Sequence, residues 1–316
     1  AVAQAAFDVV GTDSATIQGA IDTAAADDVV LIPAGTWQEC LVVANAQAVR
    51  VAGLGNTTVR CEEPDAPVFD VRGTLHLAHV TLDHATNRGI DAVGAELVLD
   101  SVTIDAGNPL GGGSGIRAEA SDLWLTSVDF PFPLSSQDGA AGLFIGSTVS
   151  MVWVSGSEGS AGRGGAFALD QSDLYAVRLS VIASSASGDG GALYLLDDSG
   201  PSSGFTCVEC SFDSNSADGG GGAIAADGVS VEIEGGSFQY NNATTGGAVA
   251  STLWAELSSV ELFGNQATDG GALYLEAGGS LYANDFGSNN AASGSGGAVH
   301  VVAGYLETAD NSFSGN

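Results

Sequence analysis

Apolar and polar positions alternate in short bursts along most of the chain, as in GALYLEAG from Gly271 and AELSSVELF from Ala255. Gly, Asn, Ser and Asp separate the bursts and a 3.6-residue period is almost absent, so the pattern predicts strands joined by tight corners. One segment near the start differs. In DSATIQGAIDTAAADD, from Asp13, the residues Ile17, Ala20, Ile21 and Ala24 fall on one helical face, and Ser14 is a suitable N-cap. This predicts a short amphipathic helix covering the open apolar end of the first coil, which begins in DDVVLIPAGTWQECLVV.

The bursts repeat. The Ala of a Gly-Gly-Ala triplet falls at 166, 192, 223, 248, 272 and 298, at intervals of 26, 31, 25, 24 and 26 residues. Units this short cannot hold a crossover helix between parallel strands, so consecutive copies must stack strand on strand. Variable intervals mark loops inserted on one side. The expected fold is all-β: a right-handed parallel β-helix of about 12 coils with a short N-terminal capping helix. Residues 1–27 form the cap and 28–316 a single β-helix, with degenerate coils over 28–163, regular ones over 164–316 and no cap at the C-terminal end.

In the regular half, Phe212, Phe238, Phe286 and Phe313 are expected to point inward and stack. Asn215, Asn241, Asn265, Asn289 and Asn316 should form a ladder at the following corner, where Asn tolerates left-handed backbone and bonds neighbouring main-chain groups. In the earlier half, segments starting at Thr74, Glu96, Asp122 and Asp173 align Leu77, Leu99, Leu125 and Ala176 at one inward position. Val80, Val102 and Val128 form the next, provided the first two segments are offset by a residue or two from the third.

Four cysteines follow the same frame. Cys40 and Cys61, 21 residues apart, can sit on adjacent turns about 4.8 Å apart and bridge. Cys207 and Cys210 take the places of Leu77 and Val80, with a corner between them that a disulfide can span. Unpaired, the four would be buried thiols of a reducing compartment. A single C-x-x-C supplies too few ligands for a metal.

Charge narrows the partners. The chain has seven arginines, no lysine, no Lys or Arg from Leu179 onward and a net charge of −31. Such a surface repels phosphate backbones and anionic headgroups, which argues against nucleic acid. No apolar run approaches the roughly 18 residues of a membrane-spanning helix, so direct membrane insertion of this segment is not expected. The opening AVAQAAFDVV reads as a mature secreted N-terminus, and the last coil, ending in mid-unit, as a place for continuation or end-to-end self-association.

The helix followed by VVLIPAGTW resembles the N-terminal cap of pectin-lyase-like right-handed β-helix proteins. The pairing of FDSN, FQYN and FGSN with Gly-Gly-Ala-(Ile/Leu/Val), Leu262 replacing Phe in LFGN, resembles the repeats of polymorphic outer-membrane-protein passengers, which are bacterial surface adhesins. The resemblance spans Gly164 to Asn316. It implies a secreted or cell-surface adhesin, stalk or assembly component, non-catalytic and without a cofactor, meeting a surface glycan or protein receptor.

The competing reading is a polysaccharide lyase or hydrolase. Enzymes of this fold resemble one another in using an Arg or Lys base beside calcium-binding carboxylates, or clustered Asp residues. The Gly-His-Gly and Arg-x-Lys signatures of polygalacturonases are missing. The best candidate is VTLDHATNRGIDA, where Asp83, His84, Asn87, Arg88 and Asp91 crowd one corner, with Asp105 one coil above Asp83; the alternative is that these are exposed turn residues. His76 and His79 read as surface or corner residues. Asp189, Asp218 and Asp269 each precede a Gly-Gly and are expected at one corner as solvated acids, since Thr245 and either Ser295 or Gly294 interrupt any calcium ladder.

Overall fold

The computed structural model describes residues 7–10, 13–25, 28–83, 88–105, 112–131, 133–135, 137–200 and 203–316. It is a parallel β-solenoid. Each strand pairs in parallel with its counterpart one coil later, as Ser211–Asp213 pairs with Ser237–Gln239 and Ile224–Asp227 with Val249–Ser251. One face is an 11-stranded sheet with one strand per coil, running from Leu41–Val43 to Val299–Val301. A 23-stranded sheet carries two further strand positions of each coil and bends at the corner between them, and short two-residue strands such as Ser185–Ala186 and Gln266–Ala267 add small sheets of three and two strands. A single buried apolar cluster runs inside from Val10 to Ala298.

The N-terminal helix is Ile17–Thr23, and it buries Ile17, Ala20 and Ile21. Its N-cap is Thr16 rather than Ser14. The Thr16 hydroxyl, directly before the first turn, accepts from the Gly19 N–H at 3.0 Å, and Ser14 lies two residues too early to do so. The Glu39 carboxylate accepts from the Ile17 and Gln18 N–H groups, which ties the helix to the first coil. Phe7–Val9, ahead of the helix, pairs with Val29–Leu31 and extends the sheet past the first full coil.

The two inward positions of the large sheet keep a constant spacing of three residues without any offset. Leu77, Leu99 and Leu125 stand in one register and Val80, Val102 and Val128, all buried, in the next. Between each pair one residue takes left-handed backbone: His79, Ser101, Ser127, Trp153, Arg178 and Glu209 all have φ between 52° and 58°. That single residue turns the strand so that side chains three apart both face the core, and no slip is needed. Cys207 and Cys210 flank Glu209 in this way and are disulfide-bonded, as are Cys40 and Cys61, whose Cα atoms are 4.7 Å apart on adjacent turns.

The Gly-Gly-Ala triplet makes the opposite corner. Its first Gly has φ near +65°, as at Gly190 (69°), Gly221 (67°) and Gly270 (64°), where a side chain would be strained. At the second Gly, a Cβ on Gly191, Gly222 or Gly247 would collide with the carbonyl of the equivalent Gly one coil on. The expected side-chain columns are present. Phe212 stacks on Phe238 at 4.9 Å and Phe286 on Phe313 at 4.7 Å, with Leu262 in register between the pairs. In the ladder, the Asn241 amide Oδ1 accepts from both the backbone N–H and the Nδ2 of Asn215, while its own Nδ2 donates to the Phe212 carbonyl and to Asn265 Oδ1. The same pattern repeats through Asn265 and Asn289 to Asn316.

The 31-residue interval between Ala192 and Ala223 is absorbed at one corner. Asp197, 3% exposed, accepts from the Ser199 N–H through Oδ1 and from the Ser203 N–H through Oδ2, both at 3.0 Å. The strands on either side, Leu193–Leu196 and Gly204–Val208, hold regular register with the next coil.

Candidate functional site

The sequence-expected acidic corner divides in two. Asp83 lies on the large sheet in register with Arg60 one coil before and Asp105 one coil after. The Arg60 guanidinium donates to Asp83 Oδ2 through Nε and Nη2, and that bond, ahead of simple charge attraction, holds the arginine's pKa above its ordinary value. Asp105, on the next rung about 4.8 Å away, is raised above the usual carboxylate range, first by desolvation and then by the Asp83 charge.

Asp91 belongs instead to the 11-stranded sheet, in register with Asp70 and Arg117. Its Oδ1 accepts from Arg88 at 3.1 Å and Arg117 at 3.3 Å, and its Oδ2 from Arg72 at 3.3 Å. With both oxygens committed to guanidinium groups, Asp91 is the hub of an ion-pair network. The structure therefore separates Arg88 and Asp91 from Asp83 and Asp105, which the sequence had placed on one corner; alternation along the chain does not reveal which sheet a residue joins. His84 and Asn87 lie outside the described residues.

Asp189 and Asp269 do share a corner column, immediately before the Gly-Gly, with Gly220, Thr245 and Ser295. Asp218 does not. It stands two residues earlier than Gly220, because this unit has four consecutive glycines and the last two make the corner. Asp189 Oδ1 accepts from the Gly220 N–H at 2.6 Å and Asp269 Oδ1 from the Ser295 N–H at 2.7 Å, so these carboxylates tie adjacent coils together. Among the described residues no group of three or more His, Cys, Asp or Glu side chains is arranged to hold a metal.

A concavity lies on the outer face of the 11-stranded sheet. The position two past the Ala of each Gly-Gly-Ala points outward, and along the stack it reads Ala168, Tyr194, Ala225, Ala250, Tyr274, His300. The two alanines between two tyrosines leave a slot of about 180 Å³, with Asp227 and Glu276 at its margin. Ala168, Tyr194 and Ala225 form an apolar cluster of their own on this outer face, separate from the solenoid core. Each tyrosine is buttressed on its far side of the column. The Arg163 guanidinium lies 4.5 Å from the Tyr194 ring centre and donates to its hydroxyl at 3.1 Å, while ion-paired to Asp138; the His300 ring lies 5.2 Å from Tyr274. Burial, partly offset by Arg163, raises the Tyr194 hydroxyl above its ordinary pKa. Sequence reasoning passed over this site, although the signal is visible once the triplets are aligned: GALYL occurs at two units where the others carry Ala or His.

Two exposed aromatic side chains, Trp124 and Tyr175, share an outward column on the large sheet with Ser150 between them. Trp153 stands at the neighbouring corner with the Arg178 guanidinium 4.4 Å from its ring centre.

Residues 209–227 match the Chlamydia polymorphic membrane protein repeat. No curated protein matches the chain. Among solved structures it is similar to the catalytic domain of a GH87 α-1,3-glucanase in complex with nigerose, at 10% identity and a TM-score of 0.43, over 97% of this chain and 68% of that one. It is also similar to the Agl-KA catalytic domain, at 10% identity and a TM-score of 0.35, over 91% of this chain and 64% of that one. The described residues contain no helix long and apolar enough to cross a membrane.

Proposed function

We propose that this chain is a secreted or cell-surface bacterial β-helix that acts as an adhesin, stalk or assembly component, without catalysis. One observation carries the reading. In the coil that matches the repeat, the recognisable residues serve the backbone: Phe212 is buried in the stack, Asn215 in the ladder, and Gly221 and Gly222 at the corner. The motif thus specifies a coil and leaves the outward columns free to vary, which suits a long surface presented to a glycan or protein receptor. Two disulfides fit an oxidising compartment. The strongly negative charge disfavours nucleic acid and anionic membranes as partners.

The alternative, a polysaccharide lyase or hydrolase, is favoured by one feature: Asp105 and Asp83 stand on adjacent rungs with the Asp105 carboxyl raised. Incubating the purified protein with acidic and neutral polysaccharides, with and without calcium, and chromatographing for released oligosaccharides separates the readings. Product that disappears in Asp83→Asn and Asp105→Asn would establish the enzyme. Retention of labelled protein on a glycan or cell surface with no product supports the adhesin.

A further inference from the structure

The tyrosine slot has a composition that selects its ligand. Its floor is Ala225 and Ala250, its ends are Tyr194 and Tyr274, and the charged groups at its margin are carboxylates, among them Asp227 and Glu276. Asp227 Oδ1 accepts from the Thr252 hydroxyl at 3.1 Å, and both Asp227 and Glu276 are exposed to the slot's solvent. No lysine exists in the chain and no arginine follows Arg178. The nearest arginine, Arg163, is taken up by Asp138 and by the Tyr194 hydroxyl. The rings already accept cationic or cation-forming neighbours on their far sides, Arg163 at Tyr194 and His300 at Tyr274. What the slot lacks is a positive charge between them.

We propose that the slot binds an organic ammonium: a protonated amine carried on a compact apolar body, whose charge meets Asp227 and Glu276 while its carbon skeleton lies on the alanine floor against the tyrosine rings. Aromatic faces attract such cations through their quadrupole, and the attraction grows where solvent is partly excluded. Two rungs of alanine leave about 10 Å along the coil axis, room for a single hexosamine ring or a short alkyl stem. The inference deepens the adhesin reading by giving one face of the coil a ligand chemistry, and it does not depend on which outer surface carries adhesion.

The test is calorimetric and NMR titration of the intact protein, at low salt, with glucosamine and n-butylammonium as charged probes and glucose and n-butanol as their neutral counterparts. The expected result is saturable binding of a charged probe, at least about tenfold tighter than its neutral partner, and weaker at high salt. The ring and stem arms show whether an amino sugar or an alkylamine is the better source of the ammonium. Asp227→Asn/Glu276→Gln and Tyr274→Ala should each weaken binding about tenfold, while Trp124→Ala, on the other sheet, should leave it unchanged. These sites are surface positions, and an unchanged amide NMR spectrum away from the slot confirms that each variant is folded. Equal affinity for glucosamine and glucose, absence of saturation by either charged probe, or binding that survives both slot variants would overturn the proposal. Any of those results would leave surface retention, the readout of the adhesin reading, unaffected.

Discussion

The two halves of the solenoid solve the same packing problem with different side chains. In the core register that contains Phe212 and Phe238, the earlier coils place Leu82, Ile104, Phe130, Gly156 and Val181. The gap at Gly156 is taken by Phe167 from the opposite sheet, which meets Phe130 edge-on at 5.5 Å. At the corner between the 11-stranded sheet and the large sheet, the earlier half uses serine: Ser121, Ser147 and Ser172 each accept a backbone N–H of the coil before. The later half uses asparagine at the corner after the Phe column, where each amide bonds both the coil before and the coil after and so links three coils, whereas the serine hydroxyls accept from the coil before and donate within their own, linking two. No Lys or Arg follows Arg178, so the arginine network around Asp91 has no counterpart among the later coils. A coil therefore tolerates drift where its core volume is conserved, and becomes recognisable as a repeat only where the corner chemistry is identical from copy to copy.

That contrast can be broken most strongly at the aromatic stack. Phe238→Ala should cost about 4 kcal/mol, because losing a buried ring leaves a cavity between Phe212 and Leu262, which the coil backbones hold apart; urea unfolding followed by far-UV circular dichroism measures it. The ladder should come next. Asn241→Ala leaves the Asn215 N–H and the Phe212 carbonyl buried without their amide partner and is expected to cost about 3 kcal/mol, whereas Ser147→Ala in the earlier half should cost about 1 kcal/mol. Equal losses for the two would mean that the asparagine ladder is no stronger than the serine one.

The disulfides sharpen the comparison. Replacing Cys40 and Cys61 by Ala and Val opens a 21-residue loop and should lower stability by about 3 kcal/mol, against about 2 kcal/mol for the bridge between Cys207 and Cys210, whose partners are three residues apart. The smallest effect concerns Asp105. Its folded pKa is raised, so ionisation disfavours the fold, and stability falls as pH rises from the ordinary carboxylate value through the raised one. Asp105→Asn should remove that decline and, since the group is largely exposed, stabilise by only about 0.3 kcal/mol at pH 7; thermal melts at pH 3 and pH 7 would show the gain only at the higher pH.

Much of the fold was legible because corners and core positions recur in sequence: Asn215 to Asn316, Phe212 to Phe313, and both disulfide pairs could be placed from spacing alone. The functional surface was less so. Tyr194 and Tyr274 differ from Ala225 and Ala250 at a position the coil does not constrain, so no repeat signal singles them out, and their proximity arises from stacking across 80 residues of sequence. Asp83 and Asp91 were joined by nearness along the chain, yet they stand on different sheets. The supposed offset at Val80 failed because one left-handed residue, His79, reverses the alternation without adding length.

The corner pinned by Asp197 carries a consequence for how such a molecule can change. Its carboxylate ties the Ser199 and Ser203 backbones together at the base of the insertion, so the strands on either side keep their register with the next coil. An insertion between Ser199 and Ser203 that keeps Asp197 should leave Leu193–Leu196 and Gly204–Val208 in register with the next coil.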